Sequence, residues 1–227
     1  MPRKRIIIKF VYFDLGWVII PVDTESVSFE FAKHSELPLS RIKEVLLHEY
    51  NKKDTEYCKL AHSFDKGLIY PEEFHKKICQ TLKMKLDFEE FLKIWKMMVG
   101  LDNRFVKMNR NLQDSNIRTG IISDLSIVHY DKIMELLNRD AFDIRFFSFL
   151  EKCLKAENNG IVFKRAIKAA NVPPENILFI DDREINIAMA KKHGMRTFHF
   201  YRERTFSHVD NFSELVKYFS NSNIILD

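Results

Sequence analysis

Five short stretches carry apolar residues without the alternation that marks a strand with one wet face. They are RIIIKFVYF at 5–13, IRTGIIS at 117–123, FDIRFFS at 142–148, NILFIDD at 176–182 and MRTFHF at 195–200. Such continuous runs, rich in β-branched and aromatic residues, suit strands covered on both faces of a parallel sheet. Between the later runs, apolar residues recur at helical spacing in SIVHYDKIMELLNRD (126–140), GIVFKRAIKAAN (160–171) and EINIAMAKKHG (184–194). The last ends on Gly194, a residue suited to a helix C-terminus. Strand alternating with helix predicts an α/β fold, a Rossmann-like doubly wound parallel sheet whose ligands bind at the C-terminal ends of the strands.

Residues 22–99 break the alternation. TESVSFEFAKHSEL, PLSRIKEVLLHEYNKK, YPEEFHKKICQTLKM and DFEEFLKIWKMMV read as successive amphipathic helices, with Pro38 and Pro71 at helix starts. The chain therefore leaves the sheet after its first strand, builds an all-helical insertion and returns near GLDNRF. This divides it into a core of 1–21 with 100–227 and an inserted helical domain of 22–99. The C-terminal FSNSNIILD is expected to fray.

Composition narrows the class. With 46% hydrophobic and 30% charged residues, the 227-residue chain has the make-up of a soluble globular protein. Its 36 basic and 32 acidic residues are intermixed and leave a charge of only +4, so no nucleic-acid partner is expected. No stretch has the length of a membrane span, and Lys9 and Asp14 interrupt the apolar start, which reads as a strand and not a signal peptide. Cys58, Cys79 and Cys153 show no CxxC spacing and read as reduced thiols of a cytoplasmic protein. The 20 phenylalanines are explained by two cores, and either a monomer or a homodimer is compatible with them.

Chemistry enters at the strand ends. Asp14, Ser123 and the pair Asp181-Asp182 each fall at or just past the C-terminal end of a predicted strand. Carboxylates converging on one crevice repel each other unless a cation sits among them, and hard oxygen ligands suit Mg²⁺. Because Mg²⁺ commonly binds through one or two carboxylates plus a substrate phosphate, phosphoryl chemistry on a small phosphorylated metabolite follows. A carboxylate beside a neutralised phosphate can attack phosphorus and form an aspartyl-phosphate. Taken singly, each of these residues also suits a helix cap or turn. His34, His48, His62 and His75 lack ligand spacing and are expected on solvent-facing helix surfaces.

This arrangement resembles the haloacid dehalogenase-like superfamily, in the subfamily with a helical cap inserted after the first motif. YFDLGWVI resembles the first motif of its FDLGNV-type branch of phosphatases, GIISD the second, and VPPENILFIDDREINIAMAKKHGMRTFHF the fourth. FDKGLIYPEEFHKKI and DFEEFLKIWKMMV are similar to the cap. The resemblance implies Asp14 as nucleophile, Ser123 as phosphate donor, Asp182 as direct metal ligand with Asp181 in support, and Asn186 one turn further on. It implies that the backbone carbonyl of Gly16 also binds Mg²⁺. For the third-motif lysine, counting back from Phe163 falls on Glu157; Lys155 fits with a two-residue insertion around ENNG, and Lys152 is the alternative.

Three positions depart from the family pattern. Gly16 stands where most family phosphatases carry an Asp that protonates the leaving oxygen, an effect worth about 10²–10⁴-fold, although some relatives of the FDLGNV type also carry glycine there. Without it, substrates with good leaving groups, such as acyl or anomeric phosphates, suffer least. Trp17 replaces a usual Gly or Asn, and either narrows the substrate pocket or anchors the cap. Asp124, where relatives often have Asn, adds negative charge beside the phosphate site. Two further readings stay open: 2-haloacid dehalogenation by the same Asp without metal, and a binding protein that kept the fold and lost the chemistry.

Overall fold

The structure, a computed structural model, describes residues 7–48, 55–138, 140–203 and 209–222. Five parallel strands form one sheet: β1 (Phe10–Phe13), β2 (Arg118–Ser123), β3 (Ile144–Phe147), β4 (Ile177–Asp181) and β5 (Arg196–His199), in the order β3-β2-β1-β4-β5. All five predicted strands are present, each shorter than its apolar run. At the first run, residues 1–6 lie outside the described set, and Ile7–Lys9 lead into β1, with Lys9 N–H bonded to the Asn176 carbonyl.

The two-sided burial of β1 explains its unbroken apolar sequence. Phe10 and Tyr12 pack on one face with α9 (Ile161–Ala170) and α10 (Glu184–Lys192). Val11 and Phe13 pack on the other with α6 (Asn103–Asp114), α7 (Ile127–Leu137) and α11 (Phe212–Asn221). Gly120 faces Tyr12 so closely that a Cβ there would lie 2.6 Å from the ring, which requires glycine at this position of β2. The Tyr12 hydroxyl then reaches across to donate to the Ala166 carbonyl at 2.9 Å.

The insertion between β1 and β2 is helical, as the spacing predicts. It contains α1 (Thr24–Ala32), α2 (Leu39–Lys43) running into a π-helical turn at Glu44–His48, α3 (Glu56–Asp65), α4 (Pro71–Thr81) and α5 (Phe88–Lys96). The expected helix over 38–53 is thus broken in character, and 49–54 lie outside the described residues. Pro71 occupies the first turn of α4, whereas Pro38 is the residue preceding α2. An aromatic stack of Phe31, Phe91 and Trp95, joined by Phe74 and Phe64, fills the interior of this cap. Its two connectors run side by side, with Gly100 N–H on the Pro21 carbonyl and Asp23 N–H on the Met98 carbonyl.

The cap is seated on the sheet domain by specific contacts. Trp95 of α5 stacks on His129 of α7 at 5.8 Å, and His129 Nε2 donates to the Trp95 carbonyl. On the other side, Ser148 of the short helix α8 (Ser148–Glu151) donates to the Asp65 carbonyl, Lys152 Nζ donates to the Gly67 carbonyl, and Lys66 pairs with Glu157 at 3.0 Å. Both candidates other than Lys155 for the third-motif position, Lys152 and Glu157, therefore meet the cap. The three cysteines are free thiols. His34, His62 and His75 are half-buried, against the solvent-facing expectation. His75 bonds the Leu86 carbonyl and packs on Phe88 and Phe91; the side chain of His48 lies outside the described residues.

Candidate active site

The register explains how distant residues meet. Phe13 of β1 pairs with Ile121 of β2 and Ile180 of β4, so Asp14, Ser123 and Asp181-Asp182 emerge together at the C-terminal edge. Asp14 N–H still bonds the Ile180 carbonyl, which continues the ladder and fixes the carboxylate above it. Oxygens of Asp14, Asp181 and Asp182 lie within 4.8 Å of one another. The loop before α9 delivers Lys155, which is 2% exposed and places Nζ 2.6 Å from Asp14 and 2.7 Å from Asp181. Asn158, Asn159 and Gly160 all take left-handed backbone in this loop, and this tight turn absorbs the residues that displace a simple count from Phe163.

Asp181 is fully buried and committed. It accepts from Lys155 Nζ, from the Arg183 backbone N–H at 2.8 Å and from Asn186 Nδ2 at 3.1 Å. Asp182 is partly exposed and lines the crevice. Asp124 is tied back: its Oδ1 accepts from the Lys155 backbone N–H at 2.9 Å, and Oδ2 lies 3.9 Å from Arg183. The extra acid of the second motif thus positions the lysine loop and faces a guanidinium. The Ser123 hydroxyl is buried, bears on Asp14 and makes no further hydrogen bond among the described residues.

Electrostatics here are dominated by burial. It pushes the Asp14 carboxyl up to about 7, opposed by Lys155 and reinforced by Asp181. Burial likewise raises Asp181 and Asp124. For Lys155 burial acts downward, but the Asp14, Asp181 and Asp124 carboxylates outweigh it and hold the ammonium protonated. Among the described residues, Lys155 pairs with Asp14 and Asp181, and Arg183 lies near Asp124. The all-oxygen donor set of Asp14, Asp181 and Asp182 fits a divalent hard cation such as Mg²⁺.

The loop after Asp14 departs from ordinary backbone. Trp17 has φ 61, the left-handed region that favours Gly or Asn, while its N–H bonds the Ile20 carbonyl at 2.8 Å. Holding a bulky residue there costs on the order of 1–2 kcal/mol. The family's preference for Gly or Asn at this position has its physical cause in that turn. Gly16 is not left-handed, and a Cβ on it would meet nothing nearer than Val22 Cγ2 at 4.0 Å.

Over the acids lies a chamber of about 180 Å³ that the cap partly covers. Leu46, Phe64, Trp95 and Met98 line it from the cap, and Leu125 and Ile133 from the sheet domain. Trp17, Asp124 and Arg183 also border it. Sequence reasoning missed Ser126, His129 and Trp95 as parts of this wall, because α5 and α7 meet there only in the folded chain. His129 gives no sequence signal beyond an ordinary helix position. Burial lowers its pKa to about 4, so the ring is neutral at pH 7.

A family model described as haloacid dehalogenase-like hydrolase matches residues 41–194, which includes Ser123, Lys155 and the acid pair but starts after Asp14. Among solved structures, the chain is similar to a HAD family enzyme from Bacteroides thetaiotaomicron in complex with magnesium and inorganic phosphate. That match has a TM-score of 0.68 at 22% identity and covers 88% of this chain and 98% of that one. Another structure of the same enzyme gives a TM-score of 0.71 at 21% identity, over 92% and 98% of the two chains. A more distant likeness is to L-2-haloacid dehalogenase from Xanthobacter autotrophicus with chloropropionic acid covalently bound, at 0.60 and 15% identity, over 96% and 84%. The family match spans most of the chain, and the parallel sheet with its inserted helical cap is the fold these structures share: the chain belongs to the haloacid dehalogenase-like hydrolases.

Proposed function

We propose that the chain is a Mg²⁺-dependent phosphatase of a small phosphorylated metabolite, acting through an aspartyl-phosphate on Asp14. The observation that carries this reading is the meeting of Asp14, Asp181 and Asp182 within 4.8 Å around a buried Lys155. Asp14, Asp182 and the Gly16 carbonyl would hold the metal, with Asp181 in support. When bound, Mg²⁺ supplies positive charge against the phosphate oxygens.

Asp14 attacks phosphorus through a carboxylate oxygen, and the P–O bond to the leaving group breaks with its electron pair on the leaving oxygen. Lys155 and the Ser123 hydroxyl hold the transferred phosphoryl oxygens. Water then attacks phosphorus, releasing inorganic phosphate and restoring Asp14. Asp181 accepts hydrogen bonds from Lys155 and Asn186 and so orients the ammonium toward Asp14. Residues 22–99 serve as the cap and 1–21 with 100–227 as the core, the cap excluding bulk water. The three free thiols accord with a reducing, cytoplasmic setting.

Hydrolytic dehalogenation is the second reading, supported by the apolar chamber over Asp14 and the likeness to the Xanthobacter enzyme. Hydrolysis of acetyl phosphate and para-nitrophenyl phosphate with and without Mg²⁺, in wild type and Asp14→Asn, tests the first. Turnover that needs both metal and Asp14 is expected. Metal-independent chloride release from 2-chloropropionate, with no phosphate release, would replace it with the second.

A further inference from the structure

The chamber above Asp14 is unlike a sugar site. A polyhydroxylated ligand needs hydrogen-bonding side chains on all sides, whereas the lined surface here is mainly apolar, with Leu, Phe, Met, Ile or Val at eleven of twenty-six lining positions and Thr24, Tyr57, Asp65 and His129 as polar neighbours. Its volume of about 180 Å³, which includes the phosphate end beside Asp14 and Lys155, is of the order of an apolar cavity, about 150 Å³, that takes up benzene. The space beyond the phosphate end therefore fits at most one small ring or a short branched chain. Two polar groups in the wall lack partners among the described residues: Trp95 Nε1, on a residue 5% exposed, and Ser126 Oγ, on one 2% exposed. Ser126 precedes the eleven-residue helix α7, yet its hydroxyl makes no capping bond. Buried unpartnered donors are costly and call for a ligand acceptor.

Gly16 constrains the leaving group from the other side. With no side chain there, Gly16 offers the departing oxygen no carboxyl, which favours an oxygen that leaves as a stable anion, a phenolate or a carboxylate.

Building on the phosphatase reading, we propose that the chamber is a leaving-group pocket for a compact aryl or acyl phosphate bearing one hydrogen-bond acceptor, which Trp95 Nε1 and Ser126 Oγ receive. The P–O bond breaks toward the ring or acyl oxygen, which departs with the electron pair and takes its proton from solvent if at all. Hexose phosphates are disfavoured where their hydroxyls meet the apolar part of this wall, each stranded hydroxyl costing about tenfold in affinity or rate.

The test has a kinetic arm and a binding arm, both on the full chain with Mg²⁺. Phosphate release is compared for phenyl phosphate, benzoyl phosphate and a hexose phosphate, and kcat/KM is expected to favour the first two by about 100-fold, as two stranded hydroxyls would give. In the binding arm, heteronuclear NMR follows the Trp95 indole N–H, assigned with Trp95→Phe, during titration with para-acetylphenylphosphonate, phenylphosphonate or inorganic phosphate. The aryl phosphonates should bind about tenfold tighter than phosphate, and the acetyl group should add a shift of the Trp95 resonance and an affinity gain that Trp95→Phe and Ser126→Ala both reduce. Equal turnover of the hexose phosphate, or phosphonates no tighter than phosphate, would overturn the pocket assignment while leaving the phosphatase reading intact. Tight binding that shifts Trp95, with no Asp14-dependent turnover of any substrate, would keep the pocket and refute the phosphatase reading.

Discussion

Gly16→Asp is the perturbation that most sharply separates scaffold from chemistry. The backbone at this position is outside the left-handed region, and an added Cβ would have Val22 Cγ2 as its nearest neighbour at 4.0 Å, so the substitution enters without clash or strain. It introduces a carboxyl two residues after Asp14, where the resemblance places an acid in most phosphatases of the wider family. General acid catalysis is worth about 10²–10⁴-fold, or roughly 3–5 kcal/mol of barrier, when the leaving oxygen is basic. It is worth little for a leaving group that departs readily as an anion. The expected result is a gain of about tenfold or more in kcat/KM on an alkyl phosphate such as glycerol phosphate, the lower end reflecting an unoptimised geometry. On para-nitrophenyl phosphate the change should stay within about threefold, because proton donation there is not limiting. Steady-state phosphate release on both substrates, with circular dichroism to verify folding, is the assay. A folded variant that gains on neither substrate, or equally on both, would refute the argument that Gly16 marks a missing proton donor.

Further expectations follow from the buried groups. Lys155→Met removes one partner of a buried ion pair and should destabilise the protein by about 3 kcal/mol in urea melts without metal. The same change should abolish turnover yet tighten Mg²⁺ binding, since the positive charge that competes for Asp14 and Asp181 is gone; weaker Mg²⁺ binding would contradict this competition. His129 should make the fold acid-sensitive. Its folded-state pKa, about 4, lies below the ordinary 6.5, so the unfolded chain binds the proton first and stability falls as pH drops from 6.5 toward 4. At 1.36 kcal/mol per pH unit this amounts to roughly 3 kcal/mol, reduced to about 2 by the ring's partial exposure. A difference between wild-type and His129→Gln melts at pH 7 and pH 4 should show it, and parallel curves would rule it out. Gly67→Ala places a Cβ 2.9 Å from the Phe149 carbonyl and Lys152 Nζ, at φ +60, and should cost about 2 kcal/mol while raising KM by loosening the cap. An unchanged KM would mean that this contact does not govern closure.

Much of the sheet was legible because buried parallel strands write an unmistakable pattern, and because a charged residue ending such a run is hard to explain by packing. Asp14, Ser123, Asp181 and Asp182 were found on that ground. Four helices were not foreseen, the four-residue α8 among them. In α3 the inward face is Tyr57, Cys58, Ala61 and Phe64, only weakly apolar. In α6, Phe105, Met108 and Leu112 are spaced through a strongly polar segment, and in α11 the buried positions are Leu215 and Phe219. Lys155 was legible only with an alternative beside it, because the left-handed Asn158-Asn159-Gly160 turn shifts the count along the chain. The chamber was not legible at all. Trp95 reads as a core aromatic and His129 as a surface helix residue until α5 and α7 meet, a contact between segments some thirty positions apart that no local pattern encodes. The turn that places Trp17 in left-handed backbone is likewise a property of the folded loop, held by the Trp17–Ile20 and Ile20–Leu15 backbone bonds.

The central claim is that Asp14 carries the phosphoryl group. Wild-type protein mixed with Mg²⁺ and acetyl phosphate, acid-quenched within one turnover and mapped by peptide mass spectrometry, measures this directly. A phosphoryl adduct on the peptide holding Asp14, absent from Asp14→Asn and decaying at the rate of phosphate release, is the expected outcome. Phosphate release with no adduct on that peptide, or with the adduct elsewhere, would contradict it.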